Sequence, residues 1–132
     1  CVLKYNGTGN ATLVRPLPNV TLYAASAASA SDVVFVGYDN TMTRGTMLKF
    51  SNGVYDRQVD LSTYPALRGI ANLGSGTLWA VGTGGTMLRS SDGLSFTRLD
   101  SGLSTQTLFG VVAYPGTAVA VGSGRAILRA TP

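Results

Sequence analysis

Four cations stand at a common position in this chain. Lys4, Lys49, Arg89 and Arg129 each follow a leucine, namely Leu3, Leu48, Leu88 and Leu128, inside short similar words: VLK, MLK, MLR and ILR. A position copied along a repeat falls on an arc at one radius and height. A row of four cations there would suit an acidic protein partner or a sulfated or phosphorylated glycan. The plainer reading carries more weight: each charge ends its strand at a rim, discourages edge pairing and lays its stem over a neighbour. Ladders of this kind also arise simply because a repeat is copied.

The groups that do most acid–base work are missing. There is no histidine, and the six acids are all aspartate, so the usual proton carrier near neutral pH is absent and metals lose their commonest nitrogen ligand. No catalytic residue, metal site or cofactor is expected. Glycan hydrolysis needs two converging carboxylates, and only Asp32 and Asp39, on either side of an inner strand, can be nominated. Asp92 and Gly93 read as a turn: the carboxylate accepts nearby backbone N–H groups and the glycine takes a positive φ. Gly84-Gly85 and Gly122-Ser123-Gly124 join strand to strand with no helix to receive an anion, and so read as hairpin turns rather than phosphate cradles. Cys1, the single cysteine, rules out an internal disulfide. It occupies the place of Thr46, Thr86 and Ala126 in later words, which favours a strand residue over a lipidated terminus or nucleophile.

Aromatic residues supply the remaining contact chemistry. Tyr38, Tyr64 and Tyr114 fall near loops, where a ring gives area at little entropic cost and a hydroxyl gives direction, so they are candidate contacts for a protein or sugar. Tyr23, Phe35, Trp79 and Phe109 fall on inner-strand words and read as packing. Arg15, Arg57 and Arg98 fall on outer strands and read as solubilising charge. Asn6, Asn10 and Asn19 open Asn-x-Thr triplets, which are acceptors for glycans only in a eukaryotic secreted chain.

The elements that must position these residues follow from a repeat. AVGTGGTMLR (Ala80 to Arg89) aligns without a gap on AVGSGRAILR (Ala120 to Arg129), and more loosely on FVG (Phe35 to Gly37) followed by GTMLK (Gly45 to Lys49). The extra residues of that earlier copy fall in YDNTMTRG (Tyr38 to Gly45), where a hairpin loop lengthens at small entropic cost. Composition agrees with short strands and tight turns: 45% apolar residues, only 12% charged and 17 glycines. The best copy predicts strands at Leu67 to Asn72, Thr77 to Gly82, Thr86 to Ser90 and Ser95 to Leu99.

Four strands in about 40 residues make a propeller blade. The chain therefore reads as an all-β propeller segment of about three blades. Residues 1–21 supply the last two strands of one blade, 22–66 and 67–106 a blade each, and 107–132 three strands of another. A sandwich has no reason to repeat the same words at the same offset. Closed propellers have four to eight blades, so the remaining blades, on this or another polypeptide, are expected as partners. The net charge of +4 is dispersed, which gives no case for nucleic acid. No apolar run is long enough for a membrane span.

The words LRGI (Leu67 to Ile70), LFGV (Leu108 to Val111), AVGTGGTMLRSSDG (Ala80 to Gly93) and DSGL (Asp100 to Leu103) resemble the photosystem II stability/assembly factor family and related bacterial propellers with Asp-box (BNR-like) repeats. SSDGLSF (Ser90 to Phe96) departs from the Asp-box pattern by being one residue short, with Phe96 where tryptophan would stand. The resemblance implies a non-catalytic binding or assembly module of an exported, extracytoplasmic bacterial propeller with a protein partner. Two alternatives stand beside it: blades of a sialidase-like or glycan-binding propeller whose catalytic acids lie elsewhere, and a structural subunit of a cell-surface assembly.

Overall fold

The computed structural model describes residues 2–4, 12–15, 18–51, 54–59, 64–74, 76–93 and 95–131, with side chains described outside 2–4, 12–15 and 54–59. Thirteen strands lie in these residues. β1 (Val2–Lys4) and β2 (Thr12–Arg15) form a two-stranded sheet, and β3 (Val20–Ser29), β4 (Asp32–Asp39), β5 (Arg44–Ser51) and β6 (Val54–Val59) a four-stranded one. β7 (Leu67–Gly74), β8 (Thr77–Gly82), β9 (Met87–Ser90) and β10 (Thr97–Leu99) form a second four-stranded sheet. β11 (Leu108–Tyr114), β12 (Thr117–Gly122) and β13 (Ile127–Ala130) form a third, three-stranded sheet. Every pairing is antiparallel between consecutive strands, so each sheet is a meander.

The sheets stack face to face, with the first strand of each beside the first strand of the next: β3 against β7, and β7 against β11. Side chains alternate between two buried faces, which is why the strands read as nearly continuous apolar runs. In β4, Val34 and Val36 point to the following sheet and join Met47, Ile70, Leu78, Ala80 and Leu88, while Phe35 turns the other way to Leu48 and Phe50. In β8, Leu78 and Ala80 belong to that first core, and Trp79 and Val81 to a second with Met87, Leu108, Ala118 and Ala120. The repeated leucine thus faces backwards and the residue before it forwards. Leu48, Leu88 and Leu128 pack on the preceding side of their sheets, whereas Met47 and Met87 are buried under the following sheet.

The glycine at or near the end of each second strand has a steric cause. A Cβ on Gly37, Gly82 or Gly122 would collide with the backbone carbonyl of Thr21, Ala66 or Thr107, where the chain crosses to begin the sheet's inner strand. Thr83 N–H donates to the Ala66 carbonyl at 3.0 Å and Ser123 N–H to that of Thr107 at 2.9 Å, which fixes this crossing. The recurring A-V-G word therefore encodes a contact between chain segments about fifteen residues apart.

Two local expectations are corrected. The longer copy does not spend its extra residues on a loop alone, because β4 and β5 continue pairing through Tyr38↔Gly45 and Asp39↔Arg44, where the next sheet has a 3-10 turn at Thr83–Gly85. The Asp39 carboxylate then closes the hairpin, accepting from Thr41 N–H at 2.9 Å and Met42 N–H at 3.1 Å. The outer strand starts at Thr97 rather than Ser95, since Ser95 N–H is taken by the Asp92 carboxylate at 2.8 Å.

Candidate binding surface

The cation ladder lies on the side of each sheet that faces the next one. Lys49, Arg89 and Arg129 pair in register with Val34, Trp79 and Val119 of the neighbouring second strands. Lys49 is half-buried, and its Nζ sits 2.6 Å from where a Cβ on Gly93 would stand, against the turn of the following sheet. Arg89 is half-buried too. Its guanidinium carbon is 5.8 Å from the centre of the Trp79 ring, and its Nε is buried with no hydrogen-bond partner among the described residues. Arg129 is exposed on the outer face of the third sheet. Lys4 ends β1, and its side chain lies outside the described residues, as do those of Arg15 and Arg57 and the whole of Cys1, Asn6 and Asn10.

The three tyrosines separate. Tyr38 belongs to β4, between Thr21 and Gly45, and Tyr64 packs against the first core in the segment before β7, where its carbonyl accepts Gly45 N–H at 2.8 Å. Tyr114 ends β11 and is 64% exposed.

The described aspartates are engaged, Asp39, Asp92 and Asp100 within their own turns and Asp32 across to the next sheet. Asp92 accepts from the Ser90 hydroxyl at 3.0 Å as well as from Ser95 N–H, and Ser90 Oγ in turn accepts Gly93 N–H at 2.8 Å, with Gly93 at φ +74°. Asp32 accepts the Asn72 side-chain amide at 3.1 Å, and Asp100 accepts Gly102 N–H at 2.8 Å. Asp32 and Asp39 begin and end the eight-residue β4. At about 3.3 Å per residue their Cα atoms are roughly 23 Å apart, far beyond the roughly 5–9.5 Å of a glycosidase pair. Among the described residues no three His, Cys, Asp or Glu side chains gather as a metal site would require.

A feature that sequence reading missed lies on the innermost strands. The register of β3 against β4 slips between Leu22 and Ala24, that of β7 against β8 between Leu67 and Gly69, and that of β11 against β12 between Leu108 and Gly110. The residue left over at each bulge is Tyr23, Arg68 or Phe109. Tyr23 and Phe109, read from sequence as packing, are 41% and 55% exposed, because a bulge turns its side chain out of the pleat. Arg68 crosses between sheets to lay its guanidinium carbon 3.9 Å from the Tyr23 ring centre, within cation–π range. The signal in the sequence was the word L-x-G in LRGI and LFGV, whose middle residue is the bulged one.

Stacked antiparallel meanders with their first strands side by side define a segment of a β-propeller. No protein-family model matches the chain, and no curated protein does. Among solved structures, "YCF48 bound to D1 peptide" superposes with a TM-score of 0.69 at 20% identity, covering 86% of this chain and 39% of that one. YCF48 is a photosystem II assembly factor, so the fold agrees with the resemblance carried by the repeat words. This chain spans well under half of the length of that propeller.

Proposed function

We propose that this chain is part of a larger, extracytoplasmic β-propeller whose role is non-catalytic binding of a protein partner. The observation that carries this reading is the employment of the described carboxylates: Asp32, Asp39, Asp92 and Asp100 each accept from an amide or a backbone N–H. The solved neighbour supports the partner class, since it was captured with a peptide bound. Extracytoplasmic placement is supported by the repeat words alone.

Contact falls to exposed loops and to the inner-strand bulges, with the ladder contributing where it reaches the surface, as at Arg129. Lys49 and Arg89, half-buried between sheets, serve the stacking first. The test exposes the complete purified protein to a random-peptide library and, separately, to fluorogenic glycosides. A reproducible peptide consensus without glycoside turnover supports the proposal, whereas turnover would replace it with a glycan-active propeller. Failure on both assays would leave a structural subunit as the better reading.

A further inference from the structure

We propose that the three inner-strand bulges form one recognition site for a carboxylate-bearing peptide segment, with Arg68 as its anchor and Tyr23 and Phe109 as its walls. This rests on the protein-binding reading above and narrows it to a place and a ligand chemistry. The bulges occupy the same position in β3, β7 and β11, which run side by side, so Tyr23, Arg68 and Phe109 form a row across three sheets. A bulged residue has no partner across the ladder, and bulges of this kind recur at barrel rims and beside functional sites, where they re-aim a side chain.

The chemistry of the row names its ligand. Arg68 spends one face of its guanidinium on the Tyr23 ring, and its Nε is buried without a hydrogen-bond partner. No described carboxylate lies within ion-pair distance of it. A stacked guanidinium keeps its edge for hydrogen bonding, and that edge matches a carboxylate as a two-pronged fork. Partial desolvation beside the Tyr23 ring strengthens such a pair over one in open water. The exposed ring of Phe109 offers an apolar surface to the residue next to the acid. A sugar acid is the weaker fit, because Phe109 carries no polar group for ring hydroxyls and the Tyr23 face is already taken by Arg68.

The experiment selects peptides from a positional-scanning library on the complete purified protein and on Arg68→Gln, Arg68→Lys and Phe109→Ser variants, each checked for an unchanged circular-dichroism melt. The library contains free and amidated C-termini, so that side-chain and terminal carboxylates are told apart, and 3′-sialyllactose is titrated in parallel. Expected is an Asp, Glu or free C-terminus beside an apolar residue, weakened roughly tenfold or more by Arg68→Gln and less by Arg68→Lys. In the unliganded protein, acetate should shift the Arg68 Nε–Hε resonance and leave that of Arg89 in place. A consensus that survives Arg68→Gln overturns this site while the protein-binding reading stands. Absence of any peptide consensus overturns both, and saturable sialyllactose binding lost in Arg68→Gln transfers the site to a glycan.

Discussion

The Lys49 ammonium of one sheet rests on Gly93 in the turn of the next, 2.6 Å from the point a Cβ there would occupy. The contact follows from the ladder's direction, since the residue after the repeated leucine shares the face of Met47, and that face meets the following sheet. An aliphatic stem packed between sheets with its charge at the turn is a common use of lysine at a rim.

Gly93→Ala is therefore expected to cost about 1–2 kcal/mol for the positive φ alone, with a further penalty from Lys49. Urea unfolding of Gly93→Ala, Lys49→Ala and the double variant would separate the two contributions. The double variant should be more stable than the sum of the single changes requires, by a few tenths of a kcal/mol or more.

Gly82→Ala is expected to be the harsher change. Its Cβ meets the Ala66 carbonyl, which is backbone held by Thr83 N–H, so the strand crossing itself must move. A loss of roughly 3 kcal/mol or more, or failure to accumulate folded protein, is the expected outcome. A melt within a few degrees of the parent would refute the steric account of the A-V-G word.

Trp79 is the single tryptophan of the chain and is 1% exposed between the second and third sheets. Its emission should be blue-shifted in the folded protein and move to the red in one step with unfolding. Trp79→Ala is expected to cost about 3–5 kcal/mol through the cavity it leaves. A solvent-like emission maximum in the folded state would contradict this packing.

Ser90→Ala removes the acceptor of Gly93 N–H and the donor to Asp92. Destabilisation of about 1–2 kcal/mol is expected, while peptide binding at Arg68 stays within about twofold. A binding loss without a stability loss would mean that the turn touches the ligand.

Val112, Val121 and Ile127 are 58%, 48% and 74% exposed, yet they match Ala71, Val81 and Met87, which are buried under the third sheet. If the complete propeller sets another sheet on that face, Ile127→Asp in the complete protein should cost several kcal/mol, much as Met87→Asp would. A neutral Ile127→Asp would mean the face stays wet.

Much of this architecture was legible before any coordinates. The word AVGTGGTMLR and its copy at Ala120 to Arg129 announced a repeat, and four apolar strands in about 40 residues announced a blade, because strand period and turn chemistry are local properties of the chain. Tyr38 was harder: whether YDNTMTRG loops out or pairs depends on Gly45 and Thr21 lying opposite, and both are tertiary neighbours.

What the sequence by itself determined was the all-β class, the repeat, the turns and the residue types available for contact. Only the tertiary structure decided where those residues point. A ladder of cations in sequence became half-buried stems at Lys49 and Arg89 because sheet stacking, which joins residues 40 or more apart, chose the face they share. Tyr23 and Phe109 looked like packing, but a one-residue slip in register turned them out of the pleat, and the same slip at Arg68 put a cation in their row. Register is set by the whole two-sided burial of a sheet rather than by the three letters of L-x-G, so that row is visible only in three dimensions.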